Sequence, residues 1–490
     1  MDRHNRMAVL GTTLQSQLRP PMSEPESLEE AVVPKWLEKM RQSERQNAKD
    51  DPNYFVTDPK SLSGQSYVED FIIGTGDDIF THIAQAIENA ESEVLFVTCF
   101  WAQSNSLQIL GQALKKLSTG VLDAGRPKVR VRIGLSSLSW CQKLFQTGSL
   151  LGRIYESREW EKTLGLPPCA ELQGLDLRIK SIFVLPFSVM HPKFVIIDRR
   201  QVWLPSCNVS WETWFEGCIA FNGPIVQQFV TFWEAFWGRD EERIELPPRS
   251  HPEHKRTPTD TRNHPLHPFS SVHATLRATT TPHSAPTPLS TLFLPSPHHR
   301  NPHFRPPWLH PRPPPPTPLN TFTLTLLATA SHTIALHTPN LTCAAVADAL
   351  LGAVARGARV AVRTSAALMV VEQVGTAGTT TARAVRALVA RYGALRRRGG
   401  PGVGGLRVEY FAPRGGAPGE PRQAHVKVLL VDARWVVLGS GNMDRASWFT
   451  SQEVGVAVCD GGVARRVGEM VGRAVDGRSR VVFDSDDLPD

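Results

Sequence analysis

The stretch HPKFVIIDRRQVWLPSCNVSWETWFE, from His191 to Glu216, has a counterpart in HVKVLLVDARWVVLGSGNMDRASWFTSQE, from His425 to Glu453. The two stretches align without a gap over their first 25 positions. The matched positions of chemical or packing interest are His191 with His425, Lys193 with Lys427, Asp198 with Asp432, Ser206 with Ser440, Asn208 with Asn442, Trp214 with Trp448 and Phe215 with Phe449. One such element alone would fit a charged strand surface, whereas two matched copies indicate a duplicated domain.

The spacing within each copy predicts where its polar side chains lie. Between Lys and Asp both copies carry four apolar residues, FVII and VLLV, as a buried strand does. Side chains alternate along a strand, so a His and a Lys two positions apart face the same side. The Ser-x-Asn follows the next strand-like stretch, where a turn can bring both side chains beside the same cleft. If the halves pack about a pseudo-twofold, two His, two Lys and two Asn converge.

This set of side chains suits a phosphodiester and requires neither a metal nor a cofactor. Two lysines and two asparagine amides can neutralise and hydrogen-bond the non-bridging oxygens, whose charge grows in the transition state. One neutral imidazole can attack phosphorus, and the other can donate a proton to the leaving oxygen. Histidine suits both tasks because its ordinary pKa is about 6.5. For Asp198 and Asp432, a structural role at the strand end and direct participation both stay open.

Around the two copies, strand-like and helix-like segments alternate in the same order. Glu93–Phe100 and Val129–Ile133 have the composition of strands and flank a helical pattern in the first half. Thr333–His337 and Arg359–Arg363 do the same in the second half. This alternation predicts an α/β fold of two duplicated α/β sandwich lobes, each with a buried, mixed or parallel sheet, and one shared active site.

Composition divides the chain into five parts. We predict an N-terminal extension without visible chemistry (1–62), a first lobe (63–246), a Pro/His-rich linker (247–318), a second lobe (319–478) and an acidic tail (479–490). The predicted linker holds 20 of the 39 prolines and 10 of the 16 histidines, which is typical of a segment without a core. A docking segment for a proline-recognising protein is the alternative.

The net charge of +7 does not by itself indicate a nucleic-acid partner. Eight basic and two acidic residues fall in 247–318, and the rest of the chain carries 46 basic and 45 acidic residues. The predicted lobes are therefore nearly neutral. Seven widely spaced cysteines without a Cys-x2-Cys pair favour reduced thiols inside a cell, in the cytoplasm or at a membrane surface. A mitochondrial location is not excluded by the N-terminal residues.

The two His-x-Lys-x4-Asp elements, each followed by Ser-x-Asn, resemble the phospholipase D superfamily. Gly439-Ser440-Gly441-Asn442 matches the family pattern fully, whereas the first copy has Pro205 where glycine is usual. The resemblance implies a phosphohistidine on the first-copy histidine, which makes His191 the nucleophile and His425 the acid and base. Acidic residues that follow each Asn can hold the imidazoles in this family, so Glu216 and Glu453 are the candidates.

Three functions from different classes remain at this stage. The first is a phosphodiesterase or phosphatidyltransferase on phospholipids at a membrane surface, similar to phospholipase D or cardiolipin synthase and catalytically complete as a monomer. The second is a nuclease, which would require basic grooves on the lobes. The third is an inactive scaffold that binds lipid or protein. Retention of both imidazoles, both lysines and both asparagines favours an enzyme.

Overall fold

A computed structural model gives the architecture of the protein. It describes residues 27–139, 149–184, 188–241, 272–275, 287–297, 313–399, 402–415 and 420–488. The strands of the first sheet are β1 Ser63–Gly74, β2 Glu93–Phe100, β3 Val129–Ser137, β4 Arg153–Ile154, β5 Leu175–Ser181, β6 Phe194–Ile197, β7 Gln201–Pro205, β8 Trp214–Asn222 and β9 Val272–Thr275. The strands that follow are β10 Leu289–Ser296, β11 Thr333–His337, β12 Arg359–Thr364, β13 Leu406–Phe411, β14 Gln423–Ala424, β15 Val428–Val431, β16 Trp435–Gly439, β17 Glu453–Cys459 and β18 Ser479–Asp484.

Twelve α-helices lie in the described residues. Those of the N-terminal part and the first lobe are α1 Ser27–Gln42, α2 Glu44–Asn47, α3 Gly76–Glu88, α4 Asn105–Asp123, α5 Ser157–Lys162 and α6 Pro224–Phe236. Those of the second lobe are α7 Pro318–Thr329, α8 Ala344–Ala355, α9 Val370–Ala377, α10 Thr381–Gly399, α11 Arg445–Phe449 and α12 Gly461–Val475. None of these helices combines the length and the apolar character that crossing a bilayer requires.

The two sheets share one strand order. The first runs β1–β8–β7–β6–β2–β3–β5, and β2, β3 and β5 are parallel neighbours. The second runs β10–β17–β16–β15–β11–β12–β13, and β11, β12 and β13 are parallel neighbours. In each sheet, the first five strands of this order pair antiparallel and the last three pair parallel. The predicted α/β fold with a repeated mixed sheet is confirmed.

The lobes share the strand β1, which pairs with both sheets, and they share a hydrophobic core. The first residues of β1, Ser63–Ser66, pair with β10 of the second sheet, while the rest of β1 pairs with β8 of the first. Phe293 on β10 packs against Phe229 and Phe232 of α6, with ring centroids 4.6 and 5.8 Å apart. The lobes therefore cannot separate without exposing apolar surface and breaking strand pairs.

Two predicted boundaries are wrong. The predicted linker, 247–318, contains β10, whose residues Leu292, Phe293 and Leu294 are fully buried between β1 and β17. The composition of the whole proline-rich segment did not indicate this eight-residue strand. The predicted acidic tail contains β18, which pairs antiparallel with β13 and closes the edge of the second sheet. The parts of the predicted linker at 247–271, 276–286 and 298–312 lie outside the described residues.

The N-terminal extension belongs to the folded body. Trp36 of α1 is fully buried, its indole N–H donates to the Pro318 carbonyl oxygen over 3.2 Å, and its ring lies edge-on to Phe322. The Asn47 amide donates to the Pro316 carbonyl over 3.0 Å. Residues 27–62 therefore fasten the first helix of the second lobe, α7, to the rest of the molecule.

Candidate active site

Both His-x-Lys elements lie immediately before a strand, at the carboxyl edge of the parallel strands. Phe194, which follows Lys193, pairs with Val97 near the end of β2, and Val428, which follows Lys427, pairs with His337 at the end of β11. The prediction that His and Lys belong to the strand itself is therefore wrong, by one residue for each Lys and by three for each His. Ligand sites of open α/β sheets commonly form at this carboxyl edge.

The backbone of each histidine is hydrogen-bonded to the opposite lobe. The His191 N–H donates to the Gln452 carbonyl oxygen over 3.0 Å, and the His425 N–H donates to the Phe215 carbonyl oxygen over 2.8 Å. Beside His425, the short strand β14 pairs in parallel with the start of β8. The two histidines are thus positioned by backbone hydrogen bonds to the opposite lobe, and not by pairing within the strand of their own lobe as the sequence had predicted.

The imidazoles are held by carboxylates that also cross between the lobes. Nδ1 of His191 lies 2.9 Å from both carboxylate oxygens of Glu453, and Nδ1 of His425 lies 2.8 and 3.1 Å from those of Glu216. A carboxylate accepts only, so the Nδ1 atoms carry the hydrogens. In the neutral imidazole, Nε2 then keeps its lone pair. The geometry therefore brings Glu216 and Glu453 into one site with the two histidines.

The serines of the Ser-x-Asn elements hold these glutamates. The Ser206 hydroxyl donates to Glu216 Oε2 and accepts the Gly217 N–H over 2.9 Å. The Ser440 hydroxyl likewise donates to Glu453 Oε2, and it accepts the Val454 N–H over 3.1 Å. Because both serine oxygens are engaged in this way, their position fits a role in orienting the glutamates.

Burial and charge set the protonation of the crossed pairs. Burial raises the pKa of Glu216 and Glu453, but the adjacent histidine and lysine charges outweigh it and leave both pKa values below the ordinary range. Burial also lowers the pKa of His191, and it lowers the pKa of His425 to about 4, against the opposing effect of the glutamates. Neutral imidazoles therefore face anionic glutamates near pH 7.

The two lysines are buried beside the histidines that they accompany. Lys193 Nζ donates to the His191 carbonyl oxygen over 2.9 Å, and Lys427 Nζ donates to the His425 carbonyl oxygen over 2.7 Å. Burial lowers the pKa of Lys427 to about 7. The Lys427 charge acts on His191 and the Lys193 charge acts on His425, so the cationic groups of both lobes share one electrostatic site.

The two asparagines are oriented differently. The Asn208 side-chain oxygen accepts the Phe100 N–H over 3.3 Å, which leaves its amide nitrogen as a donor. The Asn442 amide nitrogen donates to Asp444 over 3.0 Å and retains its second hydrogen. The carboxylate of Asp444 also caps α11 by accepting the Ser447 N–H. The sequence analysis did not identify Asp444. Its position two residues after Asn442 was the signal that could have indicated it.

The two aspartates of the repeated motif lie away from the histidines and bind backbone. The Asp198 carboxylate accepts the N–H groups of Glu91, Ser92 and Glu93 over 2.7–2.9 Å. The Asp432 carboxylate accepts the equivalent three N–H groups of the second lobe, from Ser331, His332 and Thr333. Both aspartates have positive φ angles, 51° and 50°. Each therefore fastens a strand end to the start of the neighbouring strand.

The aromatic residues of the motif divide between packing and the site. Trp448 and Phe449 are buried, as is Phe215, which stacks on Phe411. Trp214 is only partly buried, and its ring centroid lies 5.0 Å from that of His425. Among the described residues, no group of three or more His, Cys, Asp or Glu is arranged to hold a metal ion.

Comparisons with known proteins give one family match and several similar folds. The family described as "Cardiolipin synthase, PLD-like domain" matches residues 323–473. The chain is similar in structure to phosphatidylserine synthase from Haemophilus influenzae Rd KW20, with a TM-score of 0.52 and 12% identity, over 92% of this chain and 94% of that one. At this identity the likeness concerns the fold. A search of curated proteins finds no match.

Two further solved structures share less of the architecture. The phospholipase D family member Nuc from Salmonella typhimurium aligns with 39% of this chain and 96% of its own, at 18% identity and a TM-score of 0.26. Polyphosphate kinase from Porphyromonas gingivalis aligns with 82% of this chain and 49% of its own, at 12% identity and a TM-score of 0.42.

Proposed function

Because the chain belongs to the phospholipase D superfamily, we propose that it cleaves or transfers phosphodiesters, most readily phospholipids, through a phosphohistidine on His191. The observation that carries this proposal is the crossed arrangement of two histidine–glutamate pairs, in which each lobe orients the imidazole of the other. A single lobe has only half of each pair. The arrangement supports one site with two imidazoles that act in sequence.

The two histidines differ in accessibility, which supports unequal roles. The His191 side chain is 16% exposed, whereas that of His425 is 3% exposed and lies beside Trp214. Nε2 of His191 attacks phosphorus, and the bond from phosphorus to the leaving oxygen breaks as that oxygen takes a proton from His425 Nε2. His425 then removes a proton from water or an alcohol, whose oxygen attacks phosphorus and releases His191.

The charges of the site support binding of a phosphodiester anion. Lys193, Lys427 and the amide nitrogens of Asn208 and Asn442 are the donors for the non-bridging oxygens. His425 is neutral in the empty site and, when the substrate binds, takes up from solvent the proton that it later donates, because the substrate anion beside the imidazole raises the pKa of His425. The chemistry requires no metal, so activity is expected to survive chelation.

The family description and the fold neighbour both favour a phospholipid over a nucleic acid. The matched family is described by cardiolipin synthase, and the neighbour that shares the fold over nearly the whole chain is a phosphatidylserine synthase. The near-neutral charge outside 247–318 also disfavours a long polyanion.

Trapping the intermediate tests the proposal. His191→Asn should abolish turnover and covalent labelling, because the nucleophile is lost. His425→Asn should accumulate a phosphoenzyme with bis(p-nitrophenyl) phosphate, whose leaving group needs little acid assistance, because the base for the second step is lost. The exposed His332→Asn in the second lobe is the matched control. Full activity in either single variant, with a phospholipid or with this diester, would refute the two-histidine mechanism.

A further inference from the structure

The short helix α9, Val370–Ala377, buries a polar side chain and exposes apolar ones. Its Gln373 is only 3% exposed, whereas Val371 is 87% exposed and Val370 and Val374 are also exposed. Met369, which precedes the helix, is exposed as well. A surface helix of a soluble domain ordinarily buries its apolar side and exposes its polar side. The opposite arrangement therefore presents an apolar face to the surroundings.

Hydrogen bonds fix α9 in this orientation. The Gln373 side-chain oxygen accepts from both the backbone N–H and the hydroxyl of Thr381, over 2.5 and 3.0 Å. The Gln373 amide nitrogen donates to the Leu368 carbonyl oxygen over 2.5 Å. Rotating the helix to bury its valines would leave these groups without partners in the interior, which is costly. The exposure of the valines is therefore a property of the fold.

The apolar face of α9, defined as Met369, Val370, Val371 and Val374, lies next to the site in the second lobe. The helix packs against α11, Arg445–Phe449, which begins directly after the Asn442 loop. Thr381, which holds Gln373, also accepts the Leu341 N–H through its hydroxyl, and Leu341 pairs with Met443, the neighbour of Asn442. This apolar face is therefore anchored to the segment that carries a proposed phosphate-binding residue.

The first lobe also has an exposed apolar residue beside its asparagine. Trp211 lies three residues after Asn208 and is 62% exposed. Its ring makes an edge contact with Phe100, at 5.8 Å between centroids, and the Phe100 N–H donates to Asn208. Each lobe thus exposes apolar side chains beside the asparagine that it contributes to the site. Tryptophan is enriched where a protein meets the headgroup level of a membrane.

We propose that the apolar face of α9 and Trp211 dock the protein on the interfacial region of a phospholipid bilayer, with the site facing the headgroups. This inference rests on the proposed function, because it names the surface on which that site meets its substrate. The exposed Arg383 and Arg386 on the first turns of α10, which follows α9, complement the phosphates of anionic lipids. A face of this size predicts weak, reversible docking that anionic lipid strengthens.

Cosedimentation with vesicles tests the docking surface. The probes are vesicles of phosphatidylcholine with and without phosphatidylglycerol, and the protein is the full chain. Val371→Asp combined with Val374→Asp should weaken vesicle binding at least about tenfold, since two apolar side chains can no longer be buried. Leu122→Asp is the matched control, because Leu122 is 55% exposed on α4 at the end of that helix remote from the carboxyl edge of the strands.

Two checks keep the result interpretable. An aspartate at Val371 lies in the first turn of α9, where negative charge is favourable, and Val374 is exposed, so the melting temperature should stay unchanged. If the aspartate variant does not fold, Val371→Thr with Val374→Thr keeps the side-chain shape and should weaken binding in the same direction. Gel filtration distinguishes a second copy of the chain as the occupant. A dimer that the aspartate variant abolishes, without vesicle binding by the wild type, would overturn the proposal.

Activity separates this proposal from the proposed function. The aspartate variant should keep turnover of soluble bis(p-nitrophenyl) phosphate and lose turnover of vesicle phospholipid about as far as it loses binding. Vesicle binding that depends on α9, without any phosphodiesterase activity, would support the docking surface and refute the proposed function. Vesicle binding by the aspartate variant equal to that of the wild type would overturn the docking surface, whatever the activity.

Discussion

Lys427 is the side chain whose protonation should limit ligand binding. Burial lowers its pKa to about 7 in the empty site, and a bound phosphodiester anion raises that pKa again. The contribution of Lys427 to affinity should therefore be full below pH 7 and fall by up to about tenfold per pH unit above it. A methylphosphonate monoester does not itself titrate in this range and is a suitable ligand. Calorimetry at pH 8 in two buffers of different ionisation enthalpy should detect proton uptake.

Lys427→Arg gives the control for this pH dependence. A guanidinium stays protonated throughout the range, so this variant should lose the Lys427 contribution to proton uptake at pH 8 and keep only the uptake at His425. Proton uptake by the wild type at pH 8 that is no greater than uptake by Lys427→Arg would contradict the assignment of the group with a pKa near 7 to Lys427.

Asp198 should affect stability more than chemistry. Asp198→Asn keeps a residue that tolerates positive φ but leaves one acceptor oxygen for three backbone N–H groups. We expect a loss of about 1–3 kcal/mol in the free energy of unfolding, measured by urea denaturation. The turnover number of the folded fraction should stay within a few-fold of wild type. A large loss of turnover at unchanged stability would instead indicate direct participation. Asp432→Asn is the internal repeat of the test.

Sequence could predict which of these residues belong together, but it could not predict how they are paired. The spacing of His191, Lys193 and Asn208 recurs in the second half, so the motif was readable from one chain. The exchange of glutamates between the lobes depends on which loop reaches which strand end, and that is a tertiary property. The unequal spacing of Glu216 and Glu453 from their asparagines arises where α11 and the turn after it lengthen the second loop.

At the scale of elements, α1 is the part whose role composition concealed. The sequence predicted only an N-terminal extension without visible chemistry, but Val32, Trp36 and Met40 recur every four residues and are buried. Trp36→Ala should cost about 3–5 kcal/mol in the free energy of unfolding, because a buried indole leaves a cavity. Hydrogen exchange should increase in α7, to which Trp36 is bonded. Glu38→Ala on the exposed side of α1 should change neither quantity, and equal effects of both variants would refute this role.

The strand β10 illustrates a limit of composition. Its residues LSTLFLPS are apolar enough for a strand, but 20 prolines in the surrounding segment dominate the average over 247–318. Its burial also requires β1 from the first sheet and β17 from the second, which are distant in sequence. Local sequence patterns predict a strand well when the strand that pairs with it is close in sequence, as β6 and β7 are. They predict a strand poorly when both of its neighbours in the sheet are distant in sequence, as for β10.

The whole molecule works as one catalytic unit only if the lobes orient each other's histidines. Glu216 holds His425, and Glu453 holds His191. Glu216→Gln should therefore impair the acid and base, so that phosphoenzyme accumulates with bis(p-nitrophenyl) phosphate as it does in His425→Asn. Glu453→Gln should impair the nucleophile, so that formation of phosphoenzyme slows and little accumulates. Quenched-flow measurement of the labelled enzyme distinguishes the two outcomes. The reverse pattern would mean that each lobe orients its own histidine, in conflict with the crossed geometry.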